Sequence, residues 1–238
     1  MSFFNNYEKE GKGISKDADS RLRIIVFFDI LFRKFWNLIL INLIYILFCL
    51  PIVTIGPATA GVTKLLRNYA REEHAFLWSD FIETFKQNFK KSVAVFFIDL
   101  VACILLLFDL YMYTALNAPS ILRITALAAL MLTGTILLFM NYYIFTMMVT
   151  FDLNFKQLIK NAFLFAWIGF WRNILITILI AAIVYFIVIA YFPTIGIFFV
   201  VFLLFSLCGL IINFITYPLI KKYMIDGYDP KTGEKLTD

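Results

Sequence analysis

Residues 35–60 decide the fold of this chain, and they read FWNLILINLIYILFCLPIVTIGPATA. The part before Pro51 is apolar enough to enter a membrane as a helix. Residues 51–57 then break that helix, because proline lacks the backbone donor and clashes with the preceding turn. Pro57 suits the first turn of a new helix, and Gly56 lets the chain turn tightly just before it. The stretch therefore predicts a helical hairpin with a broken tip.

The second leg of this hairpin, residues 58–70, is too polar for a helix that faces lipid, since it contains Lys64 and Arg67. Its helix would be about 20 Å long, which is short of the roughly 30 Å of a hydrocarbon core. It is either a re-entrant leg or a short span inside the protein, where Lys64 can find a partner. Irregular backbone at membrane depth requires surrounding protein or water, so we expect the hairpin to avoid lipid.

Four further apolar runs are each about as long as the roughly 20 residues that a helix needs to cross a bilayer. They are residues 93–112, 124–146, 174–192 and 195–217. With 62% hydrophobic residues and a mean hydropathy of +0.87, the chain is not a soluble domain. We predict an all-α polytopic membrane protein, a helical bundle of about six membrane segments that include the broken hairpin. The expected organisation is a polar tail at 1–20, one membrane domain at 21–220 and a second tail at 221–238.

The distribution of the positive charges predicts the orientation of the chain in the membrane. Of the 21 Lys and Arg residues, all except Arg123 fall on one side of the membrane if the chain crosses an even number of times. Because such residues accumulate on the cytoplasmic side, we expect both termini to be cytoplasmic. The net charge of +5 lies beside the apolar segments. Anionic phospholipid head groups are therefore the expected counter-charge, and nucleic acid is not an expected partner.

Two segments have the periodicity of amphipathic helices that lie in the membrane interface. The first is residues 78–91, where Trp78, Phe81, Phe85 and Phe89 recur at helical spacing. The second is residues 154–170. Both either float in the head-group layer or dock a partner, and the four aromatic residues of the first are our candidate docking residues.

Chemistry-bearing residues are few. Asp99 lies within an apolar run, where a carboxylate is a functional candidate by default. It either pairs with Lys64 or belongs to a proton or cation path. The isolated polar residues Asn42, Asn141, Thr177 and Asn213 predict interhelical hydrogen bonds. A single histidine and three scattered cysteines offer no metal-ligand pattern, so we expect no catalytic residues, no metal site, no cofactor and no enzymatic activity.

Several motifs resemble the YesL family of bacterial membrane proteins, the domain of unknown function numbered 624. They are FWNL at 35–38, LPIVTIGPATA at 50–60, REEHAFLWSDF at 71–81, NFKKS at 88–92, and FDL at 151–153 with LIKNA at 158–162. The resemblance covers roughly residues 20–225 and implies the plasma membrane of a Gram-positive bacterium. Members of the family are often encoded beside carbohydrate ABC importers, which implies an accessory role in sugar or oligosaccharide uptake. The resemblance names no catalytic residues. The match to the family motifs is most specific at residues 51–60 and 78–81.

Two functions are therefore expected. The leading one is a non-enzymatic membrane subunit that binds the permease subunits of a carbohydrate ABC importer. The alternative is a small transporter or channel, alone or as an oligomer, that uses Asp99 as an intramembrane carboxylate. In that case the broken hairpin with Pro51, Gly56, Pro57 and Lys64 shapes the site, as discontinuous helices do in transporters.

Overall fold

A computed structural model of the protein describes residues 22–115, 120–186 and 193–226. All regular structure in these ranges is helical, which confirms the predicted all-α class. The helices are α1 (Arg23–Arg33), α2 (Phe35–Cys49), α3 (Ile55–Ala70), α4 (Leu77–Gln87), α5 (Phe89–Ala115), α6 (Ser120–Met148), α7 (Phe155–Ile168), α8 (Phe170–Val184), α9 (Pro193–Phe199) and α10 (Phe205–Ile220). The predicted tails at 1–20 and beyond 226 lie outside the described residues.

Three helical stretches among the described residues are long and apolar enough to cross a membrane. They are Phe89–Tyr113, Arg123–Met148 and Gly196–Ile225. Helices α7 and α8 together give a fourth, although they meet at an angle of 87°. The predicted run at 174–192 corresponds to α8, but its last six residues are not described. The sequence predicted about six membrane segments, and by length and composition the described residues contain three or four long spans.

The outer surface of these spans is apolar and open. Only 6% of the most apolar stretch of α5 is buried inside the protein, and 11% of that of α6. The buried core of the bundle surrounds α3. Such a surface is stable in hydrocarbon and not in water. The protein is therefore built as a multi-pass membrane protein.

Helix α3 is the packing centre of the bundle, since it contacts α2, α4, α5, α6 and α10 and nearly all of its residues are buried. Its small residues permit this close packing. A Cβ atom on Gly61 would lie 2.6 Å from the Phe81 ring of α4. A Cβ atom on Gly56 would overlap the backbone carbonyl of Ser92 on α5. Gly56 was predicted to form a tight turn before the helix, and this prediction is wrong: it is the second residue of α3 and serves close contact with α5.

The hairpin of α2 and α3 packs on the α5–α6 pair through α3. Its tip, the 3₁₀ turn Ile52–Thr54, contacts α5, and Gly56 reaches Ser92, in the first turn of α5. At the other end of α3, Arg67 Nη1 donates to the Val149 carbonyl oxygen at 2.7 Å, just after α6 ends. Both contacts lie near the end of the pair where α5 begins and α6 ends.

We call this end of the bundle the charged end, defined by Lys91 and Asp152. Lys91 Nζ lies 3.0 Å from Asp152 Oδ1 and donates to the Leu153 carbonyl oxygen at the same distance. These contacts join the start of α5 to the connection after α6. All four tryptophans are exposed and lie at helix starts or at the α7–α8 bend, as expected for an aromatic belt at a membrane interface. They are Trp36, Trp78, Trp167 and Trp171.

Polar residues inside the bundle join the helices by hydrogen bonds. Asn42 of α2 donates to the carbonyl oxygens of Val200 and Val201 at 3.1 and 2.7 Å, and its Oδ1 accepts from the Ser206 N–H at 2.9 Å. These carbonyls belong to a π-helical turn, Val200–Leu204, between α9 and α10. A π turn leaves the regular hydrogen-bond ladder, and the Asn42 amide satisfies the groups that result.

The same role is found at the other predicted positions, so the prediction of interhelical hydrogen bonds is confirmed at all four. Thr177 bonds to Tyr142 at 3.0 Å, and Asn213 accepts from Thr146 at 3.1 Å. Asn141 of α6 donates to the Asp99 carboxylate of α5 at 3.1 Å.

Candidate functional site

Asp99 is half-buried on α5 and bonds to α6. Its Oδ1 atom accepts a hydrogen bond from Asn141 Nδ2 at 3.1 Å, and Asn141 also donates to the Leu137 carbonyl oxygen in its own helix. Asp99 is seven residues past Ser92, so it lies about 10 Å farther into the span than the hairpin tip. An amide partner satisfies one carboxylate oxygen without neutralising a charge.

The predicted pairing of Asp99 with Lys64 is wrong. Lys64 lies on α3, which packs on α4, the helix that carries the Asp80 and Glu83 carboxylates. The packing of α3 on α4 explains why Lys64 does not pair with the carboxylate on α5, which bonds to Asn141 instead.

A cavity of about 220 Å³ lies between α2, α3, α6 and α10, next to the Asp99 site. Asn141 lines it, and so do Tyr45, Thr59, Thr63 and Thr146. These polar groups already have partners in the protein: Tyr45 bonds to Thr59 at 3.3 Å, and Thr63 donates to the Thr59 carbonyl at 2.7 Å. The cavity is below the roughly 300 Å³ at which small-molecule sites begin.

The predicted docking residues of α4 are used largely within the protein. Phe81 is fully buried against α3, and the Phe48 ring of α2 lies 4.9 Å from it and 5.3 Å from Phe85, measured between centroids. Trp78, near the start of α4, and Phe89, the first residue of α5, are exposed. The docking prediction is therefore corrected for Phe81 and Phe85, because the apolar face of α4 packs on its own chain.

The predicted hairpin residues form the turn between α2 and α3. The helix break at Pro51 is confirmed, and Pro57 lies in the first turn of α3 as predicted. Thr54 Oγ1 donates to the carbonyl oxygens of Phe48 and Pro51 at 2.6 and 2.7 Å, which closes the turn. The exposed Pro51 and the buried Gly56 and Pro57 thus shape the fold at the tip.

The charged end brings together cationic residues that sequence analysis did not connect. Arg23, Arg71 and Lys221 line a cavity of about 550 Å³ between α1, the end of α3 and the end of α10. Glu72 and Glu73 line it as well. These residues are far apart in the sequence, so only the packing of three elements reveals the cluster. The motif beginning at Arg71 was quoted for its resemblance, but nothing in it pointed to partners near residues 23 and 221.

The connection after α3 is fixed by ion pairs. Glu72 has a left-handed backbone with φ of 57°, and its carboxylate lies 3.5 Å from the Arg33 guanidinium. Arg71 pairs with Glu73. Arg67, just before them, is buried and uses Nη1 and Nη2 on the Val149 carbonyl, the Thr150 hydroxyl and the Asn68 side chain. In the part of the chain that the structure describes, no group of three or more His, Cys, Asp or Glu residues is placed to hold a metal ion.

The fold and this interior define an α-helical integral membrane protein with a helical hairpin, α2 and α3, packed inside the bundle. Residues 38–110 match the model of a family described as protein of unknown function, DUF624. This is the family that the sequence resembles, so the resemblance is confirmed over this range, which runs from α2 through the hairpin and α4 into α5. No curated protein and no solved structure matches the chain.

Proposed function

We propose that the protein is a non-enzymatic membrane subunit that packs against the permease subunits of a carbohydrate ABC importer. The observation that carries this proposal is the exposed surface of α5. Helix α5 packs on α3 and α6, but only 6% of its most apolar stretch is buried, so it presents large apolar side chains outward. They are Phe97, Ile98, Leu100, Val101, Ile104, Leu105, Leu107 and Phe108.

Association between helices in a membrane depends on van der Waals packing, since lipid tails are as apolar as leucine. The exposed side chains of α5 are available for such packing. The family context implied by the sequence resemblance supports importer permeases as the partner. Asn42, Thr177 and Asn213 inside the bundle bond to neighbouring helices, which supports a role of packing rather than of chemistry.

The test is affinity purification of the tagged protein from gently solubilised native membranes, followed by mass spectrometry. We expect stoichiometric recovery of permease subunits and their solute-binding protein. The variant Phe108→Ala on α5 should reduce this recovery, whereas Phe198→Ala on α9 should not, and the two side chains are 58% and 59% exposed. Recovery of the chain alone, while other membrane complexes stay intact, would contradict the proposal.

The orientation belongs to the same proposal. We place the charged end in the cytoplasm of a bacterium and both termini beside it, because positive residues collect on that side. The test uses single cysteines in a cysteine-free background. The thiol introduced by Arg123→Cys should react with a membrane-impermeant maleimide on intact cells, and the thiol introduced by Lys86→Cys should react only after lysis. The reverse labelling pattern would place the charged end outside.

One observation favours a second function, a stand-alone transporter. The Asp99 carboxylate bonds to Asn141, and Asn141 lines the interior cavity of about 220 Å³. In that case Asp99→Asn should abolish ion or proton uptake into proteoliposomes that contain only this protein. Asp109→Asn, with an exposed carboxylate on the same helix, is the matched control and should retain uptake.

A further inference from the structure

We propose that the 550 Å³ cavity at the charged end binds a phosphate anion, and that the ligand is the head group of an anionic phospholipid. Three cationic side chains from three separate elements converge there. Arg23 is the first residue of α1, Arg71 directly follows α3, and Lys221 directly follows α10. Like charges that converge in this way attract an anion.

The cavity lining contains more cations than carboxylates. Glu73 pairs with Arg71, and Glu72 pairs with Arg33, which lies outside the cavity lining. Three cations and two carboxylates give the lining a formal charge of +1. Lys221 forms no ion pair with the residues that the structure describes.

Aromatic residues of α10 hold the two guanidinium groups in place. Arg23 stacks 5.1 Å from the Phe214 ring centroid and donates to the Phe214 carbonyl oxygen at 3.0 Å. Arg71 lies 5.0 Å from the Tyr217 ring centroid. Stacked arginines lose less freedom when they bind an anion, and their planar fork matches the oxygens of a phosphate. The cavity therefore has donors that are already oriented.

The position of the cavity favours a lipid as the source of the phosphate. It lies at the charged end, where the exposed tryptophans indicate head-group depth. Beside it, α1 exposes a row of apolar side chains that can contact acyl chains: Leu22, Ile24, Ile25, Phe28 and Phe32. A free phosphate ion would use the cations alone, whereas a phospholipid would use both the cations and this apolar face.

The experiment uses the full-length purified protein in mixed micelles with equal amounts of phosphatidylglycerol and phosphatidylcholine. Native mass spectrometry then measures which lipid is retained. We expect preferential retention of phosphatidylglycerol. Lys221→Gln should weaken it about fivefold, as expected for one cation at an anionic membrane surface. The matched control is Lys86→Gln on α4, an exposed lysine outside the cavity lining, which should leave retention unchanged.

A second variant and a second ligand distinguish the remaining outcomes. Arg71→Gln should act like Lys221→Gln, with the melting temperature of each variant recorded so that loss of fold is recognised. If inorganic phosphate raises the melting temperature of the protein but phosphatidylglycerol is not retained, the site binds a soluble anion. Equal retention of the two lipids together with no effect of phosphate would overturn the proposal, as would equal effects of Lys221→Gln and Lys86→Gln. The outcome does not depend on whether a permease binds.

Discussion

Substitution of Gly56 by alanine tests how the hairpin packs on α5. A Cβ atom at this position would lie 2.7 Å from the Ser92 carbonyl carbon, closer still to its oxygen, and 3.1 Å from Phe96 Cβ. Backbone and Cβ atoms cannot rotate away as the end of a long side chain can, so α3 must retreat from α5. Overpacking of this kind costs about 1–3 kcal/mol. For a chain of this length we expect the melting temperature to fall by about 2–10 °C.

The matched control is Gly134→Ala on α6. Its Cβ atom would meet only Leu106 Cδ1 of α5, at an ordinary 3.7 Å, and alanine is favoured over glycine inside a helix by about 1 kcal/mol. The assay is thermal unfolding in detergent, followed by the monodisperse fraction on size-exclusion chromatography. Gly134→Ala should match or exceed the wild type. If Gly56→Ala is as stable as Gly134→Ala, the hairpin tip does not pack on the start of α5.

Two further predictions use the same assay. Asn42→Ala removes the amide that bonds to the π turn before α10 and should destabilise the protein by about 1–3 kcal/mol, given roughly 0.6 kcal/mol or more for each interhelical bond. Asn88→Ala, which loses only a bond within its own chain segment, should cost less, and equal losses would contradict this role for Asn42. Phe81→Ala should cost about 3–5 kcal/mol because it opens a cavity beside α3. Trp78→Ala, at an exposed position on the same helix, should lower the free energy of unfolding much less. If Phe81→Ala is as stable as the wild type, α4 does not pack on α3.

The elements of the fold were predictable from the sequence, but their arrangement was not. Run length and composition predicted α5 and α6, and the prolines predicted the break between α2 and α3. How α3 packs depends on contacts between Gly56 and Ser92 and between Arg67 and Val149. These contacts join residues 36 and 82 positions apart, and periodicity contains no information on such pairs.

The same limit explains the outcome for the candidate sites. Helical spacing showed that α4 has an apolar face, but it could not show that Gly61 makes room for Phe81 beneath it. The four interhelical polar residues were predictable, because a buried amide or hydroxyl in an apolar helix needs a partner. The cationic cavity at the charged end was not, since its residues come from the first, third and last elements of the described bundle.

Site-specific photo-crosslinking in living cells tests the proposed function most directly. A photoreactive amino acid would replace Ile104, which is 56% exposed on α5, and in a second strain Val95, which is 1% exposed on the same helix. The account predicts adducts with ABC permease subunits from position 104 and none from position 95. Absence of protein adducts from position 104, in a strain where the importer is expressed, would contradict it.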